Sequence, residues 1–379
     1  MKISNVRFFF LVNLMLATTL LGIEAQATPQ VKNSYIVKFS DEVSITDEVL
    51  KSQREGIAVK SVLKNVFKGF VAEMNASQAA ALSKRPHVEI VELDQEVSIS
   101  VEQSSAPWGL DRIDQTLTPL STTYNYSSTG SGITAYVLDT GIRSTHIDFS
   151  GRVGIGFSSL PDKSTNDCHG HGTHVAATIG GVTYGVAKNV TLIPVRVLDC
   201  NGSGSISGII SGLDWVASVG TPDKSVVNMS LGGGISRTLD SAVNNLIRKK
   251  VVVVAAAGNS NQNACNFSPA RVASAITVGA TDSGDSRAYF SNFGSCLDLF
   301  APGVNIASAS SSSDTGVMAM SGTSMAAPHA SGIVARYLST SGATAGGASS
   351  ALVGEATQGL VKNAGAKSPN RLLYRNAGS

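Results

Sequence analysis

The sequence predicts an α/β protein: a doubly wound parallel sheet carrying the chemistry, preceded by a smaller α+β module. Three observations point there. Four runs after residue 130, "GITAYVLDTG", "VTLIPVRVLD", "SVVNMSLGG" and "VVVVAAAGN", are continuously apolar, as strands buried on both faces are. Helical segments separate them, "SISGIISGLDWVASVG" and "SRTLDSAVNNLIRKK", and strand-helix alternation of this kind builds parallel sheets. Residues 34–100 have a different texture, with alternating strands and no cysteine.

In chain order, the first element is an export signal. Met1 to Arg7 is basic, Phe8 to Ile23 is mostly apolar, and Ala25-Gln26-Ala27 offers a small-residue cleavage site, so residues 1–27 read as a signal peptide. The rival, a membrane anchor, needs roughly 20 apolar residues, and this run contains Asn13, Thr18 and Thr19. "VVVVAAAG" at 251–258 is also far too short to span a bilayer.

Residues 28–103 follow as a module. "SYIVKFS" alternates, "ITDEVLKSQREGI" has helical spacing, and "VLKNVFKGFVAEMN" is a strand pair turning near Lys68-Gly69. "ASQAAALSKRP" is helical up to Pro86, and "VEIVELDQEVSI" alternates again. Strand, helix, two strands, helix, strand is the order of a split βαβ, ferredoxin-like unit. "SVEQSSAP" at 100–107 reads as the joint, and residues 104–379 as the larger domain.

Composition bounds the partners. The 379 residues are 42% hydrophobic and 15% charged with a formal net charge of +2, which gives no electrostatic reason to expect nucleic acid or an anionic membrane. Arg248-Lys249-Lys250 ends a helical segment, where cations offset the helix dipole. A secreted destination would make disulfides of the four cysteines, Cys168, Cys200, Cys265 and Cys296, in any of three pairings. A zinc site is the competing use, but no C-x-x-C spacing occurs.

Ligands of open α/β sheets bind beyond the carboxyl ends of the strands, so the polar residues that end the apolar runs are the candidates. Asp139 ends "AYVLD", and His171 opens "HGTHVAATIGG". Asn259 ends "VVVVAAAG", and Ser324 lies where "SGTSMAAPHASGIVARYL" passes through glycine into a helix. Three histidines, His169, His171 and His174, crowd "DCHGHGTH", so a metallohydrolase centred on them is one reading. Carboxylate, imidazole, amide and hydroxyl meeting at one place would instead make a nucleophilic hydrolase, because a serine hydroxyl needs a base within hydrogen-bond reach.

"VLDTGI", "HGTHVA", "AAGN" and "SGTSMAAPH" resemble the four signature blocks of the subtilisin-like serine peptidases, or subtilases, whose triad runs in the order Asp, His, Ser. "VRVLDCNGSGS", "NMSLGGG", "FSNFGSCLDLFAPG" and "SPNRLLY" are similar to the proteinase K branch, and to its secreted aqualysin-like members above all. The likeness covers about residues 106–375, and residues 34–100 resemble the inhibitory propeptide of the same enzymes.

The resemblance implies Ser324 as nucleophile, His171 as general base and Asp139 as the carboxylate that orients it. Asn259 and the backbone N–H of Ser324 would form the oxyanion hole. His174 and His329 would be structural, and His169 would precede the helix and point elsewhere. Peptide substrate would pair as a strand with Gly202-Ser203-Gly204 and Ser230-Leu231-Gly232, with the P1 side chain between Ser230–Gly232 and Ala256-Ala257-Gly258. Those segments hold no carboxylate, which favours apolar or aromatic P1, and Ile206 stands where relatives often carry an aromatic residue over S4.

The family pattern also implies pairings Cys168–Cys200 and Cys265–Cys296, structural calcium on Asp298 with the carbonyls of Ala273 and Ala275, and no catalytic cofactor. A second family calcium site falls on Asp111, Asp114 and Gln115, with Ser121 and Thr123 where aqualysin-like members supply further ligands. Asn125, Asn189, Asn201 and Asn266 each open a glycosylation sequon. The expected protein is therefore a secreted, monomeric serine endopeptidase made as a preproenzyme. Its propeptide would guard the cleft until self-cleavage between Val101 and Ser105. A catalytically silent member of the same fold is the alternative, and the intact quartet argues against it.

Overall fold

The computed structural model describes residues 33–94 and 101–378. The export signal, its cleavage near Ala27, the end of the last alternating run and Ser100, the first residue of the joint, lie outside the described residues. The chain divides into two compact units between Glu96 and Val97.

The first unit contains β1 (Asn33–Phe39), α1 (Ile45–Arg54), β2 (Ala58–Leu63), β3 (Gly69–Met74), α2 (Ala76–Leu82) and β4 (Val88–Leu93). These are the six elements read from the sequence, in an antiparallel sheet of order β2-β3-β1-β4. Alternation decides its inner face: Val37 and Phe39 of β1 and Phe70, Ala72 and Met74 of β3 pack with Ile45, Ala79 and Leu82 of the helices. Asn75 and Gln78 exchange side-chain and backbone hydrogen bonds at the start of α2, a capping box that fixes where this helix begins.

The second unit begins with β5 (Val101–Ser104), α3 (Trp108–Ile113), β6 (Thr123–Tyr126), β7 (Thr134–Asp139), β8 (Phe157–Ser158) and α4 (His171–Gly180). It continues through β9 (Thr191–Arg196), α5 (Ile206–Val219), β10 (Ser225–Met229), β11 (Gly233–Gly234), α6 (Arg237–Arg248), β12 (Val252–Ala256) and β13 (Phe267–Ser268). Then come β14 (Ile276–Thr281), β15 (Leu299–Pro302), β16 (Ile306–Ala309), β17 (Val317–Met320), α7 (Thr323–Leu338), α8 (Ala345–Glu355), β18 (Thr357–Gln358) and β19 (Arg371–Leu372).

Nine strands form the central sheet in the order β18-β19-β15-β14-β12-β10-β7-β9-β8, parallel except where β18 meets β19. The apolar runs are buried on both faces for a visible reason. Ala135 and Val137 of β7 join the core under α4 and α7, with Val175, Ile179 and Ile333. Tyr136 and Leu138 point the other way, into the core with Ile209, Leu213 and Val216 of α5 and Leu239, Val243 and Leu246 of α6. The chain lays β9 on one side of β7 and then crosses to place β10 on the other, so the strand order reverses around β7. A crevice opens at such a reversal, and Asp139 is the last residue of that strand.

One boundary differs from the sequence reading, which assigned residues up to 103 to the first module. Val101–Ser104 instead pairs antiparallel with β6 inside the second unit. Gln103 anchors it there: its side chain donates to the Thr183 carbonyl at 2.9 Å and accepts from Lys188 Nζ at 2.5 Å.

Candidate active site

Asp139 is fully buried at the end of β7, and its carboxylate meets the imidazole of His171, the first residue of α4. His171 Nδ1 lies 2.8 Å from one carboxylate oxygen and 2.9 Å from the other. Accepting along both oxygens fixes Nδ1–H as donor and leaves Nε2 free to take a proton. Burial pulls the His171 imidazole down, but the charge and hydrogen bond of Asp139 outweigh it and hold the net value above the ordinary one. Small residues make this approach possible. At Gly172 a Cβ would come within 2.2 Å of the Gly141 carbonyl oxygen, so the helix start can reach the end of β7 only without a side chain.

Ser324 occupies the first turn of α7, where backbone N–H groups have no carbonyl one turn earlier to bond. Its hydroxyl donates to the Ser230 carbonyl at 3.1 Å, and the Ser230 hydroxyl donates back to the Ser324 carbonyl at 2.8 Å. The Ser324 hydroxyl is thus parked just past the end of β10. Asn259 is held by its neighbour in sequence to Ser324: Thr323 donates to Asn259 Oδ1 from both its N–H and its hydroxyl, each at 2.9 Å. With Oδ1 committed to two donors, the network assigns the other end of the amide, Nδ2, to the open side, 3.4 Å from where a Cβ of Gly322 would stand. That leaves an N–H donor beside the first turn of α7, as stabilisation of a developing oxyanion requires.

A groove of 490 Å³ leads away from His171, lined by Gly202, Ser203 and Gly204 on one side and Ser230, Leu231 and Gly232 on the other. Ile206 also lines it. A second cavity of 240 Å³ shares Leu231 and Gly232 and contains Ala256, Ala257, Gly258, Asn259, Phe267 and Ser324. None of the residues described as lining it carries a carboxylate. Gly258 (φ +100°) sits where a Cβ would come within 2.4 Å of Asn292 Nδ2, so that wall too depends on a missing side chain.

The remaining histidines separate cleanly. His174 Nε2 lies 2.9 Å from the Ile306 carbonyl and His329 Nδ1 lies 2.8 Å from that of Met325, both in the core. Burial drives both imidazoles down to about 4, so they are neutral packing groups. His169 departs from the expectation that it points elsewhere. Its ring stands edge-on to that of His171, centroids 6.3 Å apart, and lines the groove. Among the described residues no cluster of three or more His, Cys, Asp or Glu could hold a metal ion, which leaves the three-histidine metal reading without support.

Cys168 is joined to Cys200, and Cys265 to Cys296. For calcium, the donors must be hard oxygens. Asp298 is half-buried, its Oδ2 accepts from the Thr277 N–H at 2.8 Å, and burial raises its pKa. A carboxylate that burial penalises is the hard, charged oxygen donor such an ion takes. The second candidate is the Asp111–Asp114 cluster. Asp111 accepts from the Ser121 hydroxyl and the Thr122 N–H, and Ser121 Oγ meets Thr123 Oγ1 at 2.9 Å. Asp114 Oδ2 accepts from Asn125, while Oδ1 is buried with no hydrogen-bond partner, and desolvation raises this carboxyl to about 6. An orphaned, buried carboxylate oxygen is the feature a cation would relieve.

Several residues that organise the site went unassigned in the sequence reading. Asp167 Oδ1 accepts from the Thr140 hydroxyl and from the N–H groups of His169 and Gly170, and Oδ2 from Thr173, so one carboxylate shapes the loop into α4. Asn292 ties the 257–262 turn through Ala257, Ser260 and Gln262. Ser331 and Ser230 bracket Asn228, linking α7 to β10. The signal for each was a polar residue within a buried apolar stretch, which composition alone does not rank.

The comparisons with known proteins agree with this geometry. Residues 130–372 match the model of the subtilase family, and residues 26–100 that of the peptidase inhibitor I9 family. The chain is 55% identical to an extracellular serine proteinase of Thermus sp. (strain Rt41A), covering 84% of this chain and 78% of that protein. It is 42% identical to proteinase R of Parengyodontium album, covering 93% and 91%. The crystal structure of a cold adapted subtilisin-like serine proteinase superposes with a TM-score of 0.69 at 52% identity, covering 72% of this chain and 98% of that one. With its parallel sheet, its Asp-His pair and its serine at a helix start, the chain belongs to the subtilase family of serine peptidases.

Proposed function

We propose that the protein is a secreted endopeptidase that hydrolyses peptide bonds through an acyl-enzyme, with Asp139, His171 and Ser324 as triad. One observation carries this reading: an oriented imidazole, an oriented amide and a helix-start serine all lie beyond the carboxyl ends of one parallel sheet, the imidazole on the groove and the other two on the cavity that shares Leu231 and Gly232 with it.

The steps follow from what each group can do. The Ser324 hydroxyl leaves the Ser230 carbonyl, gives its proton to His171 Nε2 and attacks the scissile carbonyl. Asn259 Nδ2 and the Ser324 N–H bond the oxyanion as charge builds there. The His171 imidazolium, stabilised by Asp139, returns the proton to the leaving amine. Water then repeats the sequence against the acyl-serine. Peptide lies as a strand between 202–204 and 230–232, and the 240 Å³ cavity with Phe267 in its wall takes an apolar or aromatic P1 side chain. Broad specificity follows from a groove lined largely by glycine and serine main chain.

Calcium would be held structurally by Asp111, Asp114, Gln115, Ser121 and Thr123, and by Asp298 with the carbonyls of Ala273 and Ala275. When bound, it would neutralise carboxylates that burial otherwise penalises. The chain's own residues 28 to about 100 act as intramolecular inhibitor. Because β5 is paired and Gln103 is anchored, the maturation cut is assigned upstream of Val101 rather than between Val101 and Ser105. Ser324→Ala decides the central claim. The variant should accumulate as uncleaved precursor and hydrolyse no casein; efficient self-processing by it would remove Ser324 as nucleophile.

A further inference from the structure

A second buried carboxylate stands close to the general base and has no part in the steps above. Gly170, just before α4, has no side chain to accept from the free N–H groups of the first turn, and Asp167 fills that role from the preceding loop. Asp167 is 4% exposed. Its Oδ1 accepts from the Gly170 N–H and the Thr140 hydroxyl, each at 2.8 Å, and from the His169 N–H at 2.9 Å. Its Oδ2 accepts from the Thr173 N–H at 2.8 Å and the Thr173 hydroxyl at 2.6 Å.

The same net reaches the other side of His171. The Thr140 hydroxyl, donating to Asp167, accepts from the Gly172 N–H at 2.9 Å, while the Thr140 N–H donates to Asp139 Oδ1 at 2.7 Å. The glycines on either side of His171 are therefore both bonded, Gly170 to Asp167 itself and Gly172 through Thr140. A backbone held at both neighbours fixes where the imidazole starts from, and so how squarely it meets Asp139. Charge acts alongside this geometry. Burial lowers the His171 imidazole, and the charges of Asp139 and then of Asp167 raise it above its ordinary value. Of the other titratable groups near the ring, His169 meets it edge-on, and burial keeps His174 and His329 neutral. Arg143, on the turn after β7, is directed to Asp314 and the Ser311 carbonyl. Arg196, at the end of β9, is directed to Asp162 and the Ser164 carbonyl, and Asp199 takes the N–H groups of Asn201 and Ser203.

We propose that Asp167 is a positioning residue for the hydrolysis: it holds the backbone on both sides of His171 so that the ring stays on Asp139, and its negative charge adds to that of Asp139 when the imidazolium forms. This deepens the endopeptidase reading above and rests on it.

The test compares the mature enzyme with its Asp167→Asn and Thr140→Val variants on one peptide with an apolar P1, between pH 5.5 and 9. Active sites are counted by the burst of an acylating ester, so misfolded molecules drop out of kcat. Asp167→Asn should lose kcat about tenfold with KM held, since charge-assisted bonds to the start of α4 are weakened. It should also keep an about threefold larger fraction of its pH 9 kcat/KM at pH 5.5, because an imidazole facing one charge fewer takes up its inactivating proton at lower pH. Thr140→Val keeps the carboxylate and cuts only the link to Gly172, so kcat should fall about threefold with the pH profile unmoved. A wild-type profile in Asp167→Asn, or in Thr140→Val an unchanged kcat or a loss confined to KM, overturns the proposal. Should Asp167→Asn yield no titratable sites, the Thr140→Val result decides. Absence of a burst and of turnover in the parent enzyme would overturn the endopeptidase reading instead, so the two failures are told apart.

Discussion

Acid should unfold the peptidase unit through two histidines that do no chemistry. His174 and His329 are 0% and 1% exposed, and burial lowers both from 6.5 to about 4. The unfolded chain takes up these protons below pH 6.5 and the folded one only below about 4. The folded state therefore holds its full advantage above 6.5 and loses it as pH falls through that window. Between pH 6.5 and 4.5 each imidazole removes about 2 kcal/mol, or about 4 kcal/mol together. Asp114 opposes them, since its raised value means the folded form is protonated first, but it is partly solvated and its share is smaller. The assay is guanidinium unfolding, followed by circular dichroism, of enzyme inactivated with a serine-directed phosphonyl fluoride, at both pH values. His329→Gln removes one titrating group while the opposing carboxylate stays. The pH-dependent loss should fall by about 2 kcal/mol relative to the parent. An equal loss in variant and parent would show that these imidazoles do not carry acid sensitivity.

Three further outcomes follow from the same geometry. Thr323→Val removes the hydroxyl that holds Asn259 Oδ1 and receives the Gly258 N–H, so kcat should fall about tenfold while KM holds, read by steady-state kinetics. Calcium binding measured by titration calorimetry should weaken as pH falls through about 6, where Asp114 protonates, and Asp114→Asn should lose that pH dependence. Amino-terminal sequencing of the mature enzyme should begin at or before Val101; a start after Gln103 would contradict the anchoring of β5.

The parts of this molecule legible in the sequence are those with a strong local pattern. β7, β9, β10 and β12 lie in continuous apolar runs, and α6 shows Leu239, Val243 and Leu246 on one face, all buried. The strands β14 and β15 were not read. "ITVGAT" contains glycine and alanine, "LFAP" ends in proline, and only pairing with neighbours makes strands of them. The four candidate site residues were picked out because each lies at or just past the end of such an element: Asp139 ends β7, His171 opens α4, Asn259 follows β12 and Ser324 is in the first turn of α7. Asp167, Thr140 and Thr323 were passed over because their importance lies in who they bond, across gaps no periodicity reports. The place of His169 was missed for the same reason: proximity to Gly202 is a property of the folded loop.

The arrangement divides the site into groups already oriented and one that moves. His171 is held by two carboxylate oxygens, and Asn259 by two donors from Thr323. Neither has to reorganise when charge develops, which is where preorganised donors lower a barrier. Ser324 alone is engaged elsewhere, on the Ser230 carbonyl at the edge of the groove. That carbonyl belongs to the segment a substrate strand would pair with. A peptide bonding residues 230–232 therefore competes for the acceptor that holds the hydroxyl, and its arrival favours the rotation towards His171. On the proposed function, substrate binding and release of the Ser324 hydroxyl would be coupled through one oxygen atom. Peptides that cannot pair with this segment should consequently lose kcat as well as affinity.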